Sequence, residues 1–408
     1  MTREERRRRK RRKVLLYRAI LAVGLLLALC LLFLLLKTAV TAISGREQKQ
    51  NGAAGLTDST QAAESLPAAG TEGLQTEETE EAGSETEQTT TTFSDVTATI
   101  TISAVGDCTL GRNQKHTYEN SFDEAYDKYG KTYFLEKVKD VFEADDFTIA
   151  NLEGVLTNET ERVEKKFNHK GKPEYTGILT YGSVEAVTLG NNHSADYGEK
   201  STQDTIDALE EAGIVWAMNE DLGYYKTDSG VTIGYVSVNI VEYTEEKEKL
   251  LTDGLAILRQ NADLVICCPH WGVQDTYDAT EDQQQLAYRL IDAGADLVIG
   301  CHAHRLQGLE VYKGKVIVYS MGNFCYGGAK RPGDRNSMIY QQTFTFVNGQ
   351  LQDTLDATVI PCLFSKTIQN TFQPIIATGS KQEIIDLLNE YSAPLGGATL
   401  DEEGHLQE

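Results

Sequence analysis

Residues able to bind metal ions recur where apolar runs of this sequence end. The stretch TLGNNHSADYG, residues 188–198, follows the apolar run VEAV and carries Asn192, His193 and Asp196. Imidazole, amide and carboxylate side chains in one cluster suit Zn, Mn or Fe better than Ca or Mg. The other candidate ligands at run ends are Asp107 in GDCTLG, Glu153 in NLEG, His270 in PHWG, and His302 and His304 in GCHAH.

Each candidate also has an ordinary structural explanation when it is considered alone. Asp107 could be a turn residue, because aspartate is common in turns. Glu153 could form a salt bridge, and His270 could be a hydrogen-bonded core residue. The stretch 188–198 is itself typical of a turn, because Asn and Asp tolerate left-handed backbone. A purely structural interpretation would require all the candidate histidines to be core residues.

Taken together, the candidates are too many for a single tetrahedral ion. We therefore expect two divalent transition-metal ions, Mn, Fe or Zn, that share a bridging carboxylate. Two cations about 3.5 to 4 Å apart can hold an anionic substrate and activate water for an in-line attack. In the His-x-His pattern, His302 and His304 are expected to face the same side if their segment is extended, with His304 in a turn as the alternative.

Strands and helices must bring these side chains together, and the sequence predicts that the two alternate. Continuous Val, Ile and Leu runs are typical of strands covered on both faces. Amphipathic segments at 201–213 and 281–294 end in glycine, the usual helix stop, and 381–392 predicts a last helix. This order predicts a layered α/β core whose ligands lie beyond the carboxyl ends of the strands. The predicted strands are 98–105, 146–152, 184–189, 232–238, 263–270, 296–302 and 315–322.

The first 95 residues differ in composition from the rest. Residues 1–13 carry nine Lys and Arg against two Glu, which predicts a basic cytoplasmic tail. Residues 14–36 contain one charge and are long enough to cross a membrane, so an uncleaved signal anchor is expected rather than a cleaved signal peptide. Residues 44–95, rich in Glu and Thr, predict a disordered acidic stalk. The predicted extracellular part comprises a main domain, 96–378, and a C-terminal helix with a polar tail, 379–408.

The chain after residue 96 is strongly acidic, with 25 basic and 48 acidic residues and a net charge of −23. A nucleic-acid binder needs a basic footprint, so this class of protein is excluded. An anionic ligand would require cations, which bound metals would supply. Four cysteines are expected to be small buried side chains without a predicted disulfide: Cys108, Cys267, Cys268 and Cys301.

In this order the motifs resemble the calcineurin-like metallophosphoesterase superfamily, and more narrowly its CapA branch of capsule synthesis proteins, which is linked to poly-γ-glutamate capsules. The resemblance runs from about residue 98 to about residue 327. It implies an α/β/β/α sandwich of the metallophosphoesterase type, an extracytoplasmic domain behind one transmembrane helix. The motifs that carry it are AVGDCTLG, NLEGVLT, NNHSADYGEKSTQDTIDALEEAGI and VIGCHAHRLQGLEVYKGKVIVYSMGNF.

The resemblance also implies a role for each candidate residue. Asp107 and His304 would bind the first metal, and Glu153 would bridge the two metals. His193 would face the substrate as a general acid or transition-state stabiliser. From the spacing we infer that Asp196 orients His193. The implied ligands of the second metal, besides the bridging acid, are Asn192, His270 and His302.

Two positions depart from the superfamily pattern. Thr109 stands where the first motif normally has a histidine, and Glu153 stands where the second normally has an aspartate. The first metal is therefore one ligand short of the pattern. His169, in FNHKGKP, is predicted to be a surface loop residue, with substrate contact as the alternative. Asn191 is assigned no role beyond its backbone.

Two functions follow from these observations. The first is a membrane-anchored extracytoplasmic hydrolase with two metals, which takes part in capsule biosynthesis and acts on a phosphoester or an anionic surface polymer. The second is a non-catalytic accessory protein that binds or exports such a polymer with the help of metals. Both predict a single-pass protein of the cell membrane, and other capsule-synthesis membrane proteins are expected partners.

Overall fold

The computed structural model describes residues 97–407, which lie within a unit that extends from Ser94 to Glu408. The predicted basic tail, signal anchor and stalk lie outside the described residues. Between residues 97 and 407, no helix has the length and apolar character needed to cross a membrane.

Strands and helices alternate along most of the described chain, as the sequence predicts. The helices are α1 (Phe122–Tyr129), α2 (Lys139–Ala144), α3 (Thr176–Tyr181), α4 (Glu199–Ala212), α5 (Glu245–Asn261), α6 (Glu281–Asp292) and α7 (Lys381–Ser392), with 3₁₀ turns at Pro173–Tyr175 and Ala393–Leu395. The strands are β1 (Thr97–Cys108), β2 (Arg112–Asn113), β3 (Phe147–Leu152), β4 (Val155–Leu156), β5 (His169–Gly171), β6 (Ala186–Thr188), β7 (Val215–Ala217), β8 (Gly223–Lys226), β9 (Thr232–Asn239), β10 (Leu264–His270), β11 (Leu297–Ile299), β12 (Leu309–Tyr312), β13 (Lys315–Val318), β14 (Asn336–Val347), β15 (Gln350–Leu351), β16 (Ala357–Leu363), β17 (Ile375–Ile376), β18 (Thr399–Leu400) and β19 (Leu406–Gln407).

The first large sheet has the strand order β17-β16-β14-β1-β3-β6-β7, with β15 paired to β14. Its strands β1, β3, β6 and β7 are parallel to one another. Strand β14 runs antiparallel to β1, from Thr97 opposite Val347 to Val105 opposite Ile339. The parallel half of this sheet carries three of the sequence motifs with candidate ligands.

The second large sheet has the order β12-β13-β11-β10-β9-β8. Its four central strands are parallel, and the edge strands β12 and β8 are antiparallel to their neighbours. The remaining candidate ligands follow β10 and β11. Two small sheets, β2-β5-β4 and β18-β19, complete the described part of the chain.

The two large sheets pack face to face. Ile100 and Ile149 of the first sheet share one buried cluster with Ile233 and Ile266 of the second. Alternate residues of a strand point to opposite faces of its sheet. The apolar residues on the outer face of each sheet must therefore be buried by other elements. Side chains of α1, α3 and α4 bury the outer face of the first sheet, and side chains of α5 and α6 bury that of the second. The result is a layered α/β domain in the order helix, sheet, sheet, helix.

All seven predicted strands are present, although the one predicted at 296–302 is confined to Leu297–Ile299. The predicted helix stop at Gly213 is confirmed, because this residue has left-handed backbone with φ 71°. The helix Glu245–Asn261 and the antiparallel strands Asn336–Val347 and Ala357–Leu363 were not predicted from the sequence. These strands lie beyond the motifs that guided the prediction.

The C-terminal residues 379–408 were predicted to be a helix and polar tail apart from the main domain. The helix is present, but its Ile384 and Leu388 belong to the core between the sheets. Leu400 and Leu406 of the last two strands are buried in the same core. The segment is therefore an integral part of the domain, because the core between the sheets removes its apolar side chains from water.

The prediction that Cys108, Cys267, Cys268 and Cys301 are buried is confirmed. Among residues 97–407 all the cysteines are buried and none is in a disulfide. Burial in apolar surroundings raises the pKa of the Cys108 thiol to about 12. These side chains are therefore packing groups and not thiolate ligands.

Candidate metal centre

The candidate ligands meet at the carboxyl ends of parallel strands from both sheets. Asp107 is the penultimate residue of β1, Glu153 directly follows β3, and the turn of residues 189–198 follows β6. His270 ends β10 in the second sheet, and the His-x-His pair follows β11. Two sheets packed face to face thus bring together side chains that are up to 197 positions apart, from 107 to 304.

Glu153 lies at the centre of this cluster. Its side chain is fully buried, and neither carboxylate oxygen has a hydrogen-bond partner. Its Oε1 lies 3.5 Å from His304 Nε2, 3.8 Å from His270 Nε2 and 4.0 Å from His193 Nε2. Burial raises the pKa of Glu153 to about 8, although the positive charge of His304 opposes the change. A buried carboxylate without a donor is costly unless a cation compensates it.

Two groups of side chains have the composition and spacing to hold a metal ion. One consists of Asp107, Glu153 and His304, and the other of Glu153, His270 and His302. Within each group the potential ligand atoms all lie within 4.8 Å of one another. Glu153 belongs to both groups, which is the arrangement of a bridging carboxylate. His302 Nδ1 is buried without a partner and is available as a ligand atom.

His304 is oriented by oxygens around its Nδ1 atom. Asn323 Oδ1 lies 2.9 Å from Nδ1, and Asp107 Oδ2 lies 3.0 Å from it. Because the Asn323 oxygen can only accept a hydrogen bond and the Asp107 carboxylate lies beside the same atom, Nδ1 carries a proton and Nε2 faces Glu153. Burial alone would lower the pKa of His304, but the charges of Glu153 and Asp107 raise it to about 10. Burial would raise the pKa of Asp107, but the hydrogen bond and charge of His304 lower it to about 2.

The His-x-His segment is not extended, contrary to the expectation from alternation. His302 has φ 104° and His304 has φ 54°, both uncommon for residues other than glycine. The two side chains still reach the same centre, with ring centroids 6.0 Å apart. A tight bend with left-handed backbone, and not strand alternation, therefore brings them together.

Asn192 and His270 contact each other across the two sheets. Asn192 Oδ1 lies 2.9 Å from His270 Nε2, and Asn192 is only half-buried. Gly190, in the same turn, allows this approach, because a Cβ there would lie 2.5 Å from the backbone of Ser237 in β9. The turn thus joins the first sheet to the second at the centre.

His193 and Asp196 form a hydrogen-bonded pair beside the candidate ligands. His193 Nδ1 lies 2.7 Å from Asp196 Oδ2, and the Asp196 side chain is fully buried. Asp196 also forms an ion pair with Lys165 and accepts a hydrogen bond from the backbone N–H of His169 at 2.5 Å. Burial and the charge of Lys165 lower the pKa of His193 to about 2.

Asn151 connects several of these groups, and the sequence analysis assigned it no role. Its Nδ2 donates to Asp107 Oδ1 at 2.7 Å, and its Oδ1 accepts from Thr188 Oγ1 at 2.9 Å and from Asn191 Nδ2 at 3.1 Å. It therefore links β1, β3 and the turn after β6. Its position in NLEG, two residues before Glu153, is the signal that could have identified it.

Asn191 has a side-chain role, contrary to the prediction that only its backbone matters. Its Nδ2 donates to the backbone oxygen of Leu152 at 2.9 Å, and its Oδ1 accepts from the N–H of His193 at 2.9 Å. The Asn191 amide thus holds the turn that presents Asn192 and His193.

A cavity of about 640 Å³ opens over the centre. The prediction that His169 is a surface residue is wrong, because its side chain is 4% exposed and lines this cavity. Its ring centroid lies 4.4 Å from that of His193. His169 is the first residue of β5, and the antiparallel pairing of β5 with β2 holds it at the site. Asn192, His193 and His304 line the same cavity.

The fold and the site define a class of protein: a layered α/β domain with buried histidine and carboxylate groups that could hold metal ions. The family model described as bacterial capsule synthesis protein PGA_cap matches residues 101–327. This chain therefore belongs to the PGA_cap family of bacterial capsule synthesis proteins.

Curated relatives agree with the family match. The chain is 30% identical over 253 residues to the capsule biosynthesis protein CapA of Bacillus anthracis, covering 56% of this chain and 60% of that protein. It is 28% identical over 249 residues to the PGA biosynthesis protein CapA of Bacillus subtilis, covering 56% and 63%. It is also 28% identical over 210 residues to the "Probable polyglutamine synthesis accessory protein" of Mycobacterium tuberculosis, covering 44% and 55%. The chain thus spans less than two thirds of the length of each of these relatives.

Proposed function

We propose that this protein is a hydrolase with two metal ions that takes part in capsule biosynthesis and acts on an anionic surface polymer of the poly-γ-glutamate type or on a phosphoester. The observation that carries the proposal is the environment of Glu153. A fully buried carboxylate with two unpartnered oxygens lies between two groups of metal-binding side chains and belongs to both. The family and its relatives support the capsule role.

The residues fit divalent transition metals. Imidazole and carboxylate donors without thiolates suit Mn, Fe or Zn. Asp107, Glu153 and His304 would hold one ion, and Glu153, His270 and His302 the other, with Asn192 beside His270 as a further ligand. When bound, such a pair of ions polarises the scissile group and activates water. We also propose that the domain is metallophosphoesterase-like, in keeping with its helix, sheet, sheet, helix layers.

His193 is the proposed substrate-facing group. Nδ1 of His193 donates a hydrogen bond to Asp196. The other ring nitrogen, Nε2, therefore remains available to the substrate. His193 lines the cavity and can exchange a proton or a hydrogen bond with a group bound there. Asp196 orients the ring, and Lys165 compensates the buried charge of Asp196.

The proposed location is the outer face of the cell membrane. The apolar run 14–36 would serve as an uncleaved anchor, and residues 44–95 as a spacer that holds the domain away from the lipid. Other membrane proteins of capsule synthesis are the proposed partners.

Metal analysis combined with a substrate panel tests the proposal. We expect the purified full-length protein to bind about two equivalents of Mn, Fe or Zn and to hydrolyse a γ-glutamyl oligomer or bis(p-nitrophenyl) phosphate. His193→Ala should lower kcat by about 10² to 10⁴ and retain the metal. A well-folded wild-type protein that binds none of these metals would refute the proposal.

A second candidate is a non-catalytic accessory protein that binds the polymer through metals. The observation that favours it is Thr109, which replaces the histidine of the superfamily pattern and leaves the first metal with fewer ligands. In the same experiment, bound metal without turnover of either substrate class would favour this function.

A further inference from the structure

The cavity over the metal centre is lined by two different sets of charged residues. In the first set, the cation is paired with carboxylates. Arg305 lies 2.8 Å from Asp275 and 3.9 Å from Asp334, and Tyr277 OH donates to Asp334 at 3.0 Å. One cation and two carboxylates leave a net charge of −1, so this set offers no free cation to an anionic ligand.

The second set consists of three cations, Lys166, Lys330 and Arg331. Lys330 Nζ donates to Thr117 Oγ1 at 2.7 Å, and Arg331 Nε donates to Gln369 Oε1 at 3.3 Å. The Lys166 ammonium group lies 4.8 Å from the centroid of the Phe167 ring. Among the ion pairs of residues 97–407, none joins these three cations to a carboxylate. In a domain with 48 acidic and 25 basic residues, such a cluster is unusual.

Hydrogen bonds hold the loops that carry these cations. Lys115 Nζ donates to the backbone oxygens of Lys165 and Lys166, at 3.1 and 2.8 Å. Lys330 Nζ reaches the same segment at Thr117 and Glu119. Residues 115–119 therefore connect the loop of Lys166 with the loop of Lys330.

The loop of Lys330 and Arg331 is also fixed from its other side. Asn370 Nδ2 donates to the backbone oxygens of Tyr326 and Ala329, each at 2.8 Å, and its N–H donates to Lys330 O at 2.9 Å. The cations are thus held in place before any ligand binds, which lowers the entropic cost of binding.

Two imidazoles in the same cavity have unused polar atoms. Nδ1 of His116 and Nδ1 of His169 are both buried without a hydrogen-bond partner, and His169 is almost completely buried. Neither belongs to the groups assigned to metals. A buried polar atom without a partner is costly, and a bound ligand would remove that cost.

We propose that Lys166, Lys330 and Arg331, together with His116, form an anion subsite beside the metal centre. It would bind a second anionic group, carboxylate or phosphate, of the chain whose first group lies at the metals. The protein would thus select polyanionic chains over single anions, because two linked contacts bind far more tightly than one. This inference rests on the proposed function only in that the substrate enters this cavity, and it does not require turnover.

Calorimetric titration of the full-length protein in EDTA, without metal, tests the subsite directly. The probes are penta-γ-glutamate, tripolyphosphate and N-acetylglycine, which has a single carboxylate. We expect Lys330→Met combined with Arg331→Met to weaken pentamer binding by about tenfold or more and to reduce its dependence on salt. N-acetylglycine should bind weakly to both proteins, because a single carboxylate makes only one of the linked contacts.

Two further variants distinguish the loss of positive charge from an effect on folding. Lys330→Arg combined with Arg331→Lys keeps both charges and should restore pentamer binding. Lys249→Met removes an exposed lysine that is paired with Asp253 on α5 and should leave it unchanged. Weakened binding of only one polyanion would support the subsite and identify its anionic group.

Unchanged binding of both polyanions to the double Met protein would overturn the proposal. A wild type without turnover whose polyanion binding is lost in the double Met protein would refute the hydrolase and leave the subsite standing. The two inferences can therefore fail independently.

Discussion

The Nδ1 atom of His193 lies 2.7 Å from Oδ2 of the fully buried Asp196, and this contact directs the other ring nitrogen to Glu153 and the cavity. The pair is three residues apart in sequence and lies within one turn. It resembles the general arrangement in which a carboxylate holds an imidazole in one tautomer and orientation.

The first prediction concerns this pair. His193→Ala should lower kcat by about 10² to 10⁴, the usual contribution of a general acid or base, and Asp196→Asn should lower it less. Metal content should stay unchanged in both, because neither residue belongs to a metal group. Steady-state kinetics with metal analysis measure this. His405→Ala, which breaks an exposed His–Asp pair, is the control and should change nothing. Equal kcat in wild type and His193→Ala would exclude the assigned role.

The second prediction concerns Glu153. In metal-free protein, Glu153→Gln should leave the free energy of unfolding unchanged or raise it by about 1 to 3 kcal/mol, because it removes a buried carboxylate without a donor. With metal, wild type should gain about 2.7 kcal/mol at a hundredfold excess over Kd, and the variant should gain much less. Urea unfolding with and without EDTA measures both values.

Glu310→Gln is the matched control for this experiment. Glu310 is also buried, but it accepts hydrogen bonds from Tyr288, Tyr319 and Gln284. Its substitution should destabilise the protein equally with and without metal. If Glu153→Gln behaved in the same way, Glu153 would be a structural residue and not a metal ligand.

The third prediction concerns Asn151. Asn151→Ala removes the side-chain hydrogen bonds to Asp107, Thr188 and Asn191 and the 3.4 Å contact with His270 Nδ1, and should lower the free energy of unfolding by about 2 to 3 kcal/mol. It should also weaken metal binding by about 10 to 100-fold, because Asn151 orients Asp107. Chemical denaturation and competition with a metal chelator measure the two effects. Asn261→Ala, at an exposed helix end, should change stability by less than about 0.5 kcal/mol. Undiminished metal affinity would show that Asn151 acts only on stability.

The fourth prediction concerns the approach of the two sheets. Gly190→Ala should lower stability by about 1 to 3 kcal/mol and weaken metal binding, because the added Cβ meets the backbone of Ser237. Gly333→Ala places its Cβ in open space and should be within about 0.5 kcal/mol of wild type. Thermal unfolding and metal titration compare the two. Normal metal affinity in Gly190→Ala would mean that the centre tolerates separation of the sheets.

Local patterns in the chain were enough to predict seven of the strands, three of the helices and the residue types of the centre. The run at Leu264–His270 and the helix Lys381–Ser392 were predicted correctly, because apolar periodicity reports local conformation directly. Asp107, Glu153 and the histidines were recognisable because each follows an apolar run, and the ends of parallel strands meet at one edge.

Other features depend on which distant segments meet, and no local pattern carries that information. His169 was predicted at the surface, yet the pairing of β2 with β5 buries it beside His193. His302 and His304 reach the centre through left-handed backbone that alternation does not predict. The cations at 166, 330 and 331 form one cluster only because residues 115–119 connect their loops.

The sequence therefore determined the chemistry available to this protein: the ligand types, the acidic character of the domain and the strands that end in polar side chains. Folding determined how that chemistry is arranged, including the shared position of Glu153, the contacts of Asn151 and the cationic lining of the cavity. The physical reason is that side-chain type and periodicity are properties of neighbouring residues. Distances between residues such as Asp107 and His304 arise only when both sheets have packed together.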